Sequence, residues 1–206
     1  MRTEVIDGAE VGARQRALKL LRSGGLVAFP TDTVYGLAAY PWKEDAVKRL
    51  YQVKRRPREF PIPLLLSDAT EIHQVAVLPE RCRELPGLFW PGGLTLVLSK
   101  KASVSGSISD RPTVAVRVPD LPLARDIIRR AGGVLAVTSA NLSGAPSPVT
   151  AQDVEEQLGG RIALILDGGA CRAGVPSTVL DCSVSPPKVL RHGFIGEEEL
   201  SAVLFR

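Results

Sequence analysis

The sequence predicts an α/β protein with a mixed sheet, and three observations predict it. Helix-period apolar stripes alternate with short apolar runs over most of the length. A hydrophobic content of 45% over 206 residues is enough to bury a substantial core. No fixed-period repeat, low-complexity tract or long linker divides the chain, so residues 1–206 are read as one domain.

In GARQRALKLLRSGG, Ala13, Ala17, Leu18 and Leu21 share one helical face, and Gly24 or Gly25 can take the left-handed position that ends the helix. LVAFP, Leu26 to Pro30, reads as a buried strand stopped by proline, and TDTVYGLAA follows it. A second helix fits Glu44 to Val53, with Ala46, Val47, Leu50 and Tyr51 in one stripe and Pro57 as its stop. IPLLLS, LTLVLS and TVAVRVP read as strands, the first two apolar enough to be buried on both faces. A third helix over Pro122 to Ala131 carries Ala124, Ile127, Ile128 and Ala131 on one face, ends at Gly132 and Gly133, and leads into the strand VLAVTS. Thr150 is the candidate N-cap of TAQDVEEQLGG, with Asp153 three residues on in a variant of the capping box. IALILD, STVLDC and KVLR are the remaining strand candidates, and GEEELSAVLF closes the series as a helix.

A formal charge of +4 and a pI near 9.1 permit an anionic ligand or nucleic acid without demanding one. Cys82, Cys171 and Cys182 lack C-x-x-C spacing and His73 lies far from His192, so no zinc motif follows. A low, odd cysteine count suits a reducing cytosol. Met1 is followed by charged residues, and no apolar run approaches the length of a membrane span. The expectation is a cytoplasmic protein with no membrane partner.

Several segments hold residues suited to chemistry. PTDTVYGL, Pro30 to Leu37, places hydroxyls and a carboxylate just after a strand, where open α/β sheets present ligand-binding groups. Lys54, Arg55, Arg56 and Arg58 crowd around Pro57; a helix dipole accounts for one or two cations, and the rest invite an anion such as phosphate. Arg117 stands among small β-branched residues, where it either faces water or clamps a carboxylate over the sheet, and Thr113 shares its face. TSANLSGAPSP offers Ser139, Asn141, Ser143 and Ser147 to ribose or phosphate oxygens. Neither G-x-x-x-x-G-K-[ST] nor G-x-G-x-x-G is present, and the lack of G-x-S-x-G argues against hydrolysis by a triad. Ser177 starts one strand and Arg191 ends another.

Taken in order, PTDTVYGL, the K-x-R of Lys54 and Arg56, FWPGGLTLVL, TVAVRVP, TSANLSG, and STVLD followed by VLRHG resemble the YrdC-like threonylcarbamoyl-AMP synthases. The resemblance runs from about residue 12 to about residue 195 and implies the short, single-domain form. It implies a large, twisted open mixed sheet flanked by helices, with a concave basic cavity. It implies that L-threonine, bicarbonate or carbon dioxide, and ATP give L-threonylcarbamoyl-AMP and pyrophosphate, with Mg2+ accompanying the ATP. The product would feed threonylcarbamoyladenosine at position 37 of tRNA through a separate threonylcarbamoyl-transferase. Position by position, Thr33, Arg117 and Ser177 match the threonine-binding residues. Lys54, Arg56, Thr113, Ser139, Asn141, Ser147 and Arg191 match residues associated with ATP, and Lys54 and Arg56 are the expected catalytic cations. Long members carry a histidine near the place of Ser67, so no role is transferred there, and they append a second domain whose linker closes over the cavity.

In the implied mechanism, threonine's amine captures carbon dioxide and the carbamate oxygen attacks the α-phosphate, while fixed cations offset the repulsion of two anions. As general base, Asp32 and bulk buffer or bicarbonate both stay open. A non-catalytic RNA-binding module is the alternative; against it stand the 5% aromatic content and the absence of aromatics among the cations. Carbamoyl-adenylate enzymes of hydrogenase maturation are a third possibility, but they carry zinc-finger cysteines that this sequence lacks.

Overall fold

The computed structural model describes residues 2–204. Eleven strands form one sheet: β1 (Glu4–Asp7), β2 (Val27–Phe29), β3 (Gly36–Ala39), β4 (Leu64–Leu66), β5 (Ala76–Val77), β6 (Leu94–Lys100), β7 (Thr113–Arg117), β8 (Val134–Ser139), β9 (Leu164–Asp167), β10 (Thr178–Asp181) and β11 (Lys188–Arg191). Their spatial order is β1-β9-β2-β3-β8-β4-β7-β6-β10-β11, with β5 beside β6. Parallel pairs such as β4 with β7 mix with antiparallel ones such as β3 with β8, so the sheet is mixed as expected. The helices are α1 (Ala13–Ser23), α2 (Glu44–Lys54), α3 (Ile72–Val75), α4 (Leu85–Phe89), α5 (Pro122–Arg130), α6 (Ala151–Leu158) and α7 (Glu197–Leu204).

Strand alternation divides the apolar side chains between two layers. Leu64, Leu66, Leu94, Leu96, Leu98, Val114, Val116, Val134 and Ala136 point to one face, where the apolar stripes of α2 and α6 cover them. Residues of opposite parity, Leu65, Leu135, Val137, Leu164 and Leu166, point to the other face, where α1 and α5 cover them. Each such side chain, fully buried, contributes about 1.5–3 kcal/mol. The second layer is narrower. Beyond α1 and α5, the face formed by Thr95, Ala115, Arg117 and Val179 is left to line a cavity.

The helix ends follow local chemistry. Gly24 takes φ 93°, and the N–H groups of Gly24 and Gly25 bond back to Leu21 and Leu20, the double closure that favours glycine there. Thr150 and Asp153 form the full capping box.

Two strands were not expected, one helix stop differs, and one expected residue lies outside the described range. TDTVYGLAA contains a strand, β3, which the polar residues before it concealed. Gly36 opens that strand, and a Cβ there would lie 2.6 Å from Val137 Cγ1, so the close approach of β3 and β8 requires glycine. β1, with an alternating half-buried pattern, pairs among the described residues with β9 alone and has no apolar run to mark it. α2 runs one residue past the expected Val53, and what stops it is the turn at Arg55 before Pro57 is reached: Arg55 adopts φ 51°, and Arg56 N–H closes onto Tyr51 O at 2.9 Å. Finally, Phe205, expected in the last helix, lies outside the described residues. No helix among the described residues is long and apolar enough to cross a membrane.

Candidate functional site

Arg117 ends β7 in the middle of the sheet, between β4 and β6, so the reading of a water-facing edge arginine does not hold. Its side chain is 7% exposed. Burial draws its guanidinium below its ordinary range, and the neighbouring Asp32 carboxylate opposes that. Nε donates to Gly92 O at 2.8 Å, one Nη1 N–H to Thr33 Oγ1 at 2.8 Å, and one Nη2 N–H to Asp32 Oδ1 at 2.5 Å. A guanidinium has five N–H groups, so two remain for a ligand in the cavity.

The loop after β2 sets the polarity of Thr33. Thr31 Oγ1 donates its single proton to Val34 O at 2.7 Å. With that proton committed to Val34 O, the 3.0 Å contact between Thr31 Oγ1 and Thr33 Oγ1 is assigned the proton of Thr33, Thr31 Oγ1 also accepting the longer contacts of Thr33 N–H at 3.2 Å and Val34 N–H at 3.3 Å. With Arg117 donating to it as well, Thr33 Oγ1 keeps only a lone pair, and toward a ligand it is an acceptor.

Arg117 and Thr33 share a cavity of about 270 Å³ with Thr31, Tyr35, Arg56, Thr95, Ser139, Ser147, Ser177 and Arg191. Leu65, Ala115, Val137 and Val179 form its apolar floor. Arg56, half-buried, donates to the carbonyls of Phe60 at 2.9 Å and Pro61 at 3.1 Å. Arg191 donates Nε and Nη2 to Ser177 O at 3.1 and 2.8 Å. Desolvation first, then the charges of Arg117 and Arg56, lower the pKa of Arg191, as expected for a half-buried guanidinium close to two others.

A neighbouring cavity of about 500 Å³ shares Arg56 and Ser139 and adds Lys54, Asn141 and Ser143. Lys54 is 1% exposed. Its Nζ contacts Ser139 O at 2.5 Å, Asn141 O at 2.6 Å and Asn141 Oδ1 at 3.0 Å. Those acceptors use all three N–H groups of an ammonium, so Lys54 ties the start of the TSANLSG loop to α2 and has no N–H left over for a phosphate. Burial, then the Arg56 charge, lowers it to about 7.

The structure thus brings Thr33, Arg56, Arg117, Ser139, Ser147, Ser177 and Arg191 to one cavity, and Lys54 and Asn141 to the adjoining one. Thr113 shares strand parity with Ala115 and Arg117, but the lining stops at Ala115. Ser67 is buried, its N–H bonded to Gly133 O, away from both cavities. The crowded cations are partly explained without an anion. Arg58 lies over the Tyr51 ring at 4.7 Å and Arg56 over Phe60 at 5.7 Å, so aromatics do meet the cations in space although the sequence reading found none among them. Sequence reasoning reached Thr31 and Tyr35 only as hydroxyls of PTDTVYGL, and it missed Thr95. Thr95, a polar residue within the apolar run LTLVLS, was the one that could have been noticed.

Residues 19–193 match the Sua5/YciO/YrdC family model, described as telomere recombination. The threonylcarbamoyl-AMP synthase of Bacillus subtilis is 45% identical over 195 residues, covering 92% of this chain and 56% of that protein. The crystal structure of Pyrococcus abyssi Sua5 complexed with L-threonine superposes with a TM-score of 0.95 at 40% identity, covering 98% of this chain and 61% of that one. Escherichia coli YciO, at 23% identity and a TM-score of 0.85, shares the fold. The chain spans little more than half of the Bacillus protein and under two thirds of the Pyrococcus one. With residues 19–193 matched to the family model and 98% of the chain superposing on the Pyrococcus structure, the chain belongs to the Sua5/YciO/YrdC family.

Proposed function

We propose that this chain is an L-threonylcarbamoyl-AMP synthase, a nucleotidyltransferase that joins L-threonine, bicarbonate or carbon dioxide, and ATP and releases pyrophosphate. The observation that carries the reading is the convergence of Arg56, Arg117 and Arg191, from three distant segments, on one cavity floored by the sheet. The name of the Bacillus relative and the threonine complex of the Pyrococcus relative support it.

In this reading the two open N–H groups of Arg117 hold the threonine carboxylate, and the lone pair of Thr33 accepts from the amine. The amine nitrogen bonds to carbon dioxide and loses a proton to solvent or bicarbonate, giving a carbamate. A carbamate oxygen then bonds to the α-phosphorus as the bond to pyrophosphate breaks. Two anions must approach, and Arg56 and Arg191 offset their repulsion; a single well-placed donor of this kind is worth about 3–4 kcal/mol. Lys54 acts through Ser139 and Asn141, holding the loop that would face the nucleotide. Among the described residues, neither cavity is lined by a carboxylate, so the protein supplies no ready ligand set for Mg2+; the ion expected with ATP would be carried by the phosphates, and no step here is assigned to it. The adenylate would be consumed by a separate transferase acting on tRNA.

The test is pyrophosphate release by purified protein given ATP, threonine and bicarbonate. Threonine-dependent release, lost in an Arg56→Ala, Arg191→Ala variant, is expected. No pyrophosphate release above background, together with affinity for RNA that falls steeply with salt and needs no ATP, would favour the RNA-binding module instead.

A further inference from the structure

We infer that Thr95 is a substrate-positioning residue that works with Ser177 as a single hydroxyl pair and sets the affinity for the amino-acid substrate. The inference rests on the proposed reaction and adds to it a residue from β6, an element that contributes none of the expected site residues.

Thr95 occupies the cavity face of β6, whose other face carries Leu94, Leu96 and Leu98 into the core. β10 runs parallel beside β6, with Val179 opposite Thr95, and Ser177 immediately precedes β10 on the same face. Both hydroxyl residues are buried, Thr95 at 4% and Ser177 at 6% exposure, and Oγ1 meets Oγ at 2.7 Å. Arg191 Nη2 donates to Ser177 Oγ at 3.2 Å.

A count of protons gives the pair its direction. The two hydroxyls hold two protons, and only one can lie in the bond between them. If Thr95 donates to Ser177, the Ser177 proton is left over. If Ser177 donates to Thr95, the Thr95 proton is left over. In both arrangements one O–H has no acceptor among the described residues, and both residues line the cavity. The pair is therefore a donor toward a ligand, whereas Thr33, whose proton goes to Thr31, is an acceptor. The cavity has polarity: acceptor at Thr33, donors at Arg117 and at the Thr95–Ser177 pair. An amino acid or its carbamate, with N–H on one side and anionic oxygens on the other, fits that polarity. Without Thr95, the Ser177 hydroxyl loses its partner and rotates freely between Arg191 and the cavity.

The experiment compares Thr95→Val, Thr95→Ser and Thr95→Ala with the unaltered full chain in the pyrophosphate assay. Thr95→Val keeps the shape and removes the hydroxyl, and is expected to raise the KM for threonine by about 3- to 10-fold, the worth of one net hydrogen bond, with kcat and the KM for ATP within about twofold. Thr95→Ser restores the hydroxyl and is expected to return the threonine KM to the unaltered value. Should the valine variant be insoluble, the alanine and serine pair carries the same comparison. An active protein whose threonine KM is unchanged in Thr95→Val, or raised equally in Thr95→Ser, overturns the inference and leaves the proposed reaction standing. An unaltered chain that neither binds nor converts threonine overturns both.

Discussion

Arg117 and Thr33, 84 residues apart in the chain, meet at 2.8 Å with Nη1 donating to Oγ1. The contact joins the end of β7 to the loop after β2 and gives the two residues opposite polarity toward a ligand. If Thr33 accepts from the substrate amine, Thr33→Val removes the acceptor without changing the shape. The threonine KM should then rise about tenfold, in keeping with a hydrogen bond to a charged or developing charge, and Thr33→Ser should restore it. Equal KM values for the valine and serine variants would sever Thr33 from binding.

The Arg117–Asp32 pair is largely dry, with side chains 7% and 14% exposed. Removing one member strands the other. Arg117→Leu should lower unfolding stability by about 3–5 kcal/mol in urea titration, and adding Asp32→Leu should recover part of that loss. A double variant that is additive with the two single ones would show that the ions do not depend on one another.

Lys54 sets a pH dependence. Its folded value, about 7, lies below the ordinary 10.5, so between those values the unfolded chain binds more protons than the folded one. The sign follows: through this group, stability of the unligated protein rises as pH rises from about 7 toward 10. A phosphate nearby raises the value again, so ATP binding at pH 8 should take up a fraction of a proton. Calorimetry in buffers of different ionisation enthalpy measures this uptake, and Lys54→Met should abolish it. Buffer-independent enthalpies for the unaltered chain would mean that Lys54 keeps its proton throughout.

Arg55 is the one non-glycine residue with positive φ among the described residues, at 51°. Relief of left-handed strain, about 1–2 kcal/mol, exceeds the extra unfolded-state freedom of glycine, about 0.5–1 kcal/mol. Arg55→Gly should therefore raise unfolding stability by up to about 1 kcal/mol, seen as a higher urea midpoint at constant slope. A lower midpoint would show that the Arg55 side chain contributes packing that outweighs the strain.

The sequence by itself determined the α/β alternation, the long helices and the apolar strands, because each is written in local periodicity: Ala13, Ala17, Leu18 and Leu21 mark α1 whatever lies around them. It also named most of the polar residues that line the two cavities, though only through an ordered set of short blocks and not through any one of them. Tertiary structure decided the rest. β1 and β3 exist because β9, β2 and β8 offer them hydrogen bonds, not because their own residues demand extension. Whether Lys54 holds a loop or a phosphate, whether Arg117 is buried or wet, and which way the hydroxyls of Thr33, Thr95 and Ser177 point all depend on acceptors brought from distant parts of the chain. A residue type fixes how many protons and lone pairs a side chain owns; only packing decides which are already taken, and the ones left over define the site.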